Sequence, residues 1–324
     1  KAHAIAYMPI VLAGILLCFR GKYIGGFLLL AVAMALEIGA NHFQMTYYLL
    51  LLVIVLGIAY LIDAYRKKLL PHYFKSLGVM TGAVILAIGV NATNLLATQE
   101  YTGFSTRGDT GLTITPEGSE KPSAGLTYGY ITEYSYGILE SFNLFIPRFM
   151  GGSSSEKLEK DSAMYQELLL LGATASQAKD FAENAPTYWG DQPFVGAPAY
   201  IGATVLFLFV FALFLIKGRL KWWIVGGSIL ALFLSWGKNF SFLTELFIDY
   251  FPLYSKFRAV SSIQVIIELC IPILAVIGLY RLLNDFEKTE EKEHGLKWAT
   301  IISGGLALIF IVFKSFLFNF SGGN

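Results

Sequence analysis

Three polar clusters interrupt a largely apolar chain, and each carries side chains that do chemistry. The first reads Glu37-Ile-Gly-Ala-Asn41-His42-Phe-Gln44-Met-Thr-Tyr47-Tyr48. If one helix continues through it, Glu37, Asn41 and Gln44 share a face. A carboxylate there serves as base, ligand or ion partner, and His42 as a proton shuttle or phosphate contact. A capped, hydrated hairpin turn is the plain alternative. The second cluster is Ser235-Trp-Gly-Lys238-Asn239, continued by Lys256-Phe-Arg258. Cations beside an apolar run suit a lipid phosphate or diphosphate, or else simply snorkel to the interface. The third is Arg258, Ser261, Gln264 and Glu268, whose spacing predicts one helix face. Glu268 lies inside an apolar run, where a lone carboxylate costs about 3 kcal/mol. It therefore needs a partner, a proton or water, or it makes a structural hydrogen bond between helices. Pro272, one turn further on, predicts a kink.

The elements that must position these groups follow from composition. Of 324 residues, 55% are hydrophobic and 15% charged, with a mean hydropathy of +0.59. A soluble domain carries about a quarter charged residues. The net charge of +1 provides no global field for nucleic acid. Cys18 and Cys270, both in apolar runs, exclude a disulfide framework or a Cys-rich metal site. An all-α polytopic membrane protein remains. Eight segments predict spans: about 3–19, 23–40, 45–62, 77–96, 199–216, 222–236, 259–281 and 298–318. Unbroken apolar runs such as Leu49 to Ile58 argue against a β-barrel.

The chain divides into a four-helix part at 1–96, a loop domain at 97–198 and a second four-helix part at 199–324. Short loops holding Arg20 and Lys22, Arg66 to Lys68 with Lys75, Lys217 to Lys221, and Arg281 to Lys297 fall on one side. The positive-inside rule makes that side cytoplasmic and the long loop extracytoplasmic. That loop is too long to be an idle connection. Its first part, Thr-, Gly-, Ser- and Tyr-rich, predicts turns, short strands or irregular structure. Residues 162–171 and 176–183 are helix-compatible, with Pro186 ending the second. Residues 240–250 predict an amphipathic helix lying on the outer interface. Arg107-Gly-Asp109 spells an adhesion tripeptide, too short to carry weight. The start at Lys1, without an initiator Met or signal peptide, predicts an internal fragment of a longer protein.

Soluble catalytic signatures are absent: no GxxxxGK[ST], no HExxH and no nucleophile elbow. The ordered motifs are Lys1-Ala-His3-Ala, Glu37 to Tyr48, Tyr101-Thr-Gly-Phe-Ser-Thr-Arg107-Gly, Ser135-Tyr136-Gly137 and Ile146-Pro-Arg148-Phe-Met-Gly151-Gly152. Tyr188-Trp189-Gly-Asp191-Gln-Pro193, Ser235 to Asn239, and Lys256-Phe-Arg258-Ala-Val260 complete the set. Along nearly its whole length the chain resembles the bacterial YfhO family of membrane proteins, in its Bacteroidetes form. The resemblance implies a GT-C-type glycosyltransferase-like fold in the bacterial inner membrane. It also implies sugar transfer from a polyprenyl-phosphate carrier to a cell-envelope glycopolymer or glycolipid on the outer side. Family members are longer, and the Asp expected to be catalytic lies in a first outer loop missing from this sequence. That departure predicts no autonomous activity for these 324 residues.

Combined with the residue reading, Arg258, Lys256 and Lys238 are expected to hold the carrier phosphate, with Asn239, Glu268, Asn41, Gln44 and Arg107 as further substrate contacts. Glu37, His42 and Asp191 are candidates for catalytic or acceptor contacts. Trp189 and Tyr136 are expected to stack on sugar rings. No metal ligand set is assigned, although the carboxylates would accommodate a divalent metal. The rivals are a transporter or flippase for a lipid-linked sugar, and a non-catalytic envelope scaffold. A flippase predicts polar span residues toward both sides, whereas here they gather on one.

Overall fold

The computed structural model describes residues 1–105, 126–284 and 286–317, with the side chains of 314–317 excluded. Arg107 and the tripeptide it begins lie outside the described residues. Among those described there are helices and no strands. The first half supplies α1 (Ala2–Phe19), α2 (Tyr23–Gly39), α3 (Phe43–Arg66) and α4 (Leu70–Val90). Left-handed residues, Gly21 and Lys68, make the turns on one side, and Pro71 in the first turn of α4 gives up no intrahelical bond. Side-chain bulk sets how closely α1 and α2 approach. A Cβ on Gly26 would lie 2.6 Å from Cys18 Sγ, and one on Gly14 would lie 2.9 Å from Leu30 Cα. Small residues at a membrane helix crossing let the backbones meet in this way.

After α4 come α5 (Ala92–Gly103), α6 (Tyr128–Thr132), α7 (Ala163–Leu170) and α8 (Ala175–Ala182). The loop thus starts as a helix as far as Gly103, and residues 106–125, where the rest of the expected turns and strands fall, lie outside the described residues. Its threonines satisfy their hydroxyls within the helix, Thr98 on Asn94 O and Thr102 on Thr98 O. The two helices expected further on are α7, capped by Ser162, and α8, capped by Thr174 with Gln177 in a capping box. They pack around Tyr165, Ala178 and Ala182. Antiparallel bridges pair Gly151 with Tyr188 and Glu156 with Ala185.

The second half supplies α9 (Ala203–Leu215), α10 (Arg219–Ser235), α11 (Ser241–Tyr250), α12 (Gln264–Leu283) and α13 (Thr289–Leu317). The chain is an all-α membrane protein, with fewer full-length spans among the described residues than the eight expected. Five helices are long and apolar enough to cross: α1, α3, α4, α12 with its lead-in from Val260, and α13 as far as Phe313. The bent α10–α11 pair makes a sixth if it counts as one span. The two remaining apolar segments form the shorter helices α2 and α9, of 17 and 13 residues. Left-handed Gly202 and extended Ile216 bound α9, and its length rises only about 20 Å. α12 runs through Pro272 as one helix.

The two halves meet along α3 and α10, where a Cβ on Gly227 would lie 2.3 Å from Leu52 Cδ1. Alternating helices give the bundle two ends. The basic end carries Arg66 to Lys68 and Lys217 to Lys221; the loop end carries the α2–α3 hairpin, α11 and residues 126–202. Near the loop end, Phe310 of α13 packs on Phe142 and Phe149.

Candidate functional site

The hairpin comes first. α2 stops at Gly39, Asn41 is left-handed (φ 52°), and His42 precedes α3. The face expected for Glu37, Asn41 and Gln44 on one continuous helix is therefore broken by the turn. Glu37 is fully buried and accepts the Thr46 hydroxyl at 3.1 Å; its other oxygen is buried without a partner among the described residues. His42 is half-buried, and burial holds its imidazole below its ordinary pKa. Gln44 reaches across the seam and donates to Tyr48 Oη at 2.8 Å and to Arg258 O at 2.6 Å.

The segment from α11 to α12 also departs from expectation. Leu253 and Ala259 adopt left-handed backbone, residues 260–263 form a 3-10 turn, and α12 begins only at Gln264. Gln264 and Glu268 still lie one turn apart on α12, but Arg258 is turned away from their face. Its guanidinium donates to Tyr130 Oη at 2.7 Å and sits 5.3 Å from that ring's centroid. Gln264 is buried, with neither side-chain polar atom partnered among the described residues. Glu268 is exposed in the upper part of the helix, within electrostatic reach of Lys1, which donates to Ser262 Oγ at 3.0 Å.

The third part of the site is the contact of 132–140 and 186–193 with the end of α10. Tyr136 N donates to Ser235 O (2.9 Å), Lys238 N to Ser135 Oγ (3.1 Å), and Asn239 Nδ2 to Tyr136 O (2.7 Å). Gly237 is left-handed, and a Cβ there would lie 2.1 Å from Ser135 Oγ. Asp191 lies against Gly137, where a Cβ would come within 2.5 Å of its Oδ2, and is 3.4 Å from Asn239 Nδ2.

At the centre is a residue that the sequence reading missed. Glu140 is buried and accepts three bonds: Tyr188 Oη at 2.6 Å, Gln192 Nε2 at 2.9 Å and Gly137 N at 3.1 Å. Burial raises its carboxyl pKa, and the three donors oppose the rise. Burial, reinforced by Glu140, pushes the Tyr136 phenol up to about 12. The available signal was an acid set in the apolar stretch Ile138 to Phe145. Tyr136 is too buried to offer a sugar an open ring, and Trp189, whose backbone N–H donates to Met150 O, packs its ring beside Phe149 and Phe310. Tyr130, beside Arg258, is more open than either of these rings.

The structure thus gathers Gln44, Arg258 and Tyr130 at one contact, and Tyr136, Asp191, Asn239 and the Lys238 backbone at another. Lys256 ends the 3-10 turn before Arg258. Glu37 stays in the interior, away from either contact's hydrogen bonds. Among the described residues Arg258 and Lys238 make no ion pair with a carboxylate. No three His, Cys, Asp or Glu side chains converge there, and Glu140's oxygens are taken by donors. No protein-family model, curated protein or solved structure matches the chain.

Proposed function

We propose that the chain is part of a membrane glycosyltransferase-like protein that takes a sugar from a polyprenyl-phosphate carrier. The acceptor is a cell-envelope glycopolymer or glycolipid. In this reading the basic end faces the cytoplasm of a bacterial inner membrane and the loop end faces outward. The observation that carries the proposal is Arg258: an exposed guanidinium at the membrane boundary, unmatched by a carboxylate among the described residues and oriented on Tyr130. A phosphate would complete that bidentate donor. Lys256 and Lys238 add positive charge to the same end, and Asp191 with Asn239 offers acceptor-hydroxyl contacts. No step is routed through a metal.

The test supplies membranes containing the full-length protein, of which this chain is a part, with a polyprenyl-phosphate sugar. Wild type, Arg258→Ala and Asp191→Asn are then compared for transfer. The proposal expects Arg258→Ala to weaken carrier use more than tenfold, which is about 1.4 kcal/mol. Normal transfer by both variants removes the assigned site. Movement of the lipid between leaflets without transfer replaces the enzyme with a flippase.

A further inference from the structure

The helix α11 has three faces where an ordinary surface helix has two. Its inward face holds Thr244 and Phe247: Thr244 donates to Gly237 O at 2.9 Å, and Phe247 stacks on Phe251 at 4.0 Å. A second face is acidic, with Glu245 and Asp249 exposed one turn apart. The third is apolar and bare, with Phe242 73% exposed, Leu246 37% and Tyr250 78% on successive turns. At 100° per residue the bare face lies about 130° from the inward face and about 80° from the acidic one, so it falls between the protein side and the water side of the helix. A helix packed on a protein in water needs no third face. One lying along the side of a membrane protein, at the bilayer boundary, needs all three.

The position of α11 fits that setting. The chain bends by 112° between α10, an apolar helix, and the segment holding α11, so α11 runs across the direction of α10. It starts where α10 ends and so at the bilayer boundary. The bare face continues into Leu253, 62% exposed in its left-handed turn. We propose that Phe242, Leu246, Tyr250 and Leu253 seat α11 in the headgroup–acyl boundary of the leaflet at the loop end, with Glu245 and Asp249 facing water. The segment that follows is tied to α3 at two points. Tyr47 Oη donates to Pro252 O at 2.9 Å, and Gln44 Nε2 to Arg258 O. The lipid seat and the α3 ties together fix the height at which Arg258 stands.

Site-directed spin labels test this on the whole chain, in vesicles of phosphatidylethanolamine and phosphatidylglycerol. The native Cys18 and Cys270 are buried and are replaced by Ala. Single labels go in through Phe242→Cys, Leu246→Cys, Tyr250→Cys, Glu245→Cys, Asp249→Cys and Phe247→Cys. Labels at 242, 246 and 250 should collide with dissolved oxygen several-fold more, relative to a water-soluble nickel chelate, than labels at 245 and 249. The label at 247 should be shielded from both and report an intact fold. If 242, 246 and 250 meet nickel as readily as 245 and 249, the face is in water and the proposal falls. If they are shielded from both reagents, protein covers the face, as in a second copy, and the proposal falls equally. The readout involves no sugar transfer, so it stands or fails independently of the function proposed above.

Discussion

At the basic end of the bundle, Asp63 of α3 accepts Arg219 at 2.6 Å and Lys67 at 3.0 Å, and Arg219 lies 4.2 Å from the Tyr60 ring centroid. Lys217 pairs with Glu291, and Arg281 with Glu287. At the loop end Arg148 pairs with Glu156, but the ties around Arg258 and Lys238 run from neutral side chains to backbone: Gln44 to Arg258 O, Tyr47 to Pro252 O, Asn239 to Tyr136 O, Thr244 to Gly237 O. Part of the basic end's charge is thus paired across helices, while Arg258 and Lys238 at the loop end have no carboxylate among the described residues. Charge satisfied internally favours a stable edge, and charge left over favours a ligand. Neutral ties hold the loop end in shape without consuming the charge a ligand would meet.

The largest expected effect probes Glu140, the buried carboxylate of the loop region. Glu140→Ala leaves the donors of Tyr188, Gln192 and Gly137 without their acceptor, at a cost of about 3 kcal/mol. Thermal unfolding of the chain in detergent micelles should drop further for this variant than for any change at the basic end. A smaller drop would mean that the cluster is ornamental. Protonation gives a second reading of the same group. Burial raises the folded-state pKa of Glu140 above the unfolded value, so folding favours its protonated form. Its contribution is fully present below the ordinary glutamate pKa of about 4.3 and is lost as pH rises through the raised value. Glu140→Gln should flatten that decline in a pH series of unfolding midpoints, and an unchanged slope would assign it to another group.

Next in size is Asp63→Asn, which removes the shared acceptor of Arg219 and Lys67. Both cations keep access to water, so about 1 kcal/mol is expected, shrinking as salt rises. A loss indifferent to salt would show that this end is held by packing on Tyr60 and not by charge.

That contrast was only partly legible in the sequence. Apolar runs marked the described membrane helices, because a span is a compositional property of consecutive residues, but they also marked α2 and α9, which are shorter than a full span. The amphipathic stretch 240–250 announced α11 as a helix, yet its bend and third face depend on what packs against Thr244 and Phe247. The faces expected from spacing at Glu37–Gln44 and Arg258–Glu268 failed for one reason: Asn41 and Ala259 take left-handed backbone, and spacing counts only inside an unbroken helix. Glu140 escaped notice because its partners lie far along the chain, Tyr188 by 48 positions and Gln192 by 52.

Smaller again is Tyr47→Phe, which deletes the hydroxyl on Pro252 O and leaves the ring on Phe257, 5.2 Å away between centroids. Side-chain bonds of this kind in membrane bundles are worth about 0.6 kcal/mol. The informative readout is local. A spin label at 253 should gain mobility while the unfolding midpoint moves little. A rigid label would show that Gln44 alone suffices to tie the segment to α3.

The smallest effect belongs to Lys217→Ala. The pair it makes with Glu291 is close, at 2.9 Å, but both side chains stand largely in solvent. Water and salt already stabilise either charge apart. Removing the ammonium should leave the unfolding midpoint unchanged within error in low and in physiological salt. The outcome bears on the whole contrast. If so exposed a pair proved to stabilise the fold, a count of ion pairs would describe the strength of the basic end. If it is silent, the strength of that end rests on the half-buried Asp63–Arg219 contact between α3 and α10, just as the loop end rests on Glu140. Each end would then depend on one carboxylate shielded from water, and the exposed cations of the basic end would be free to serve topology alone.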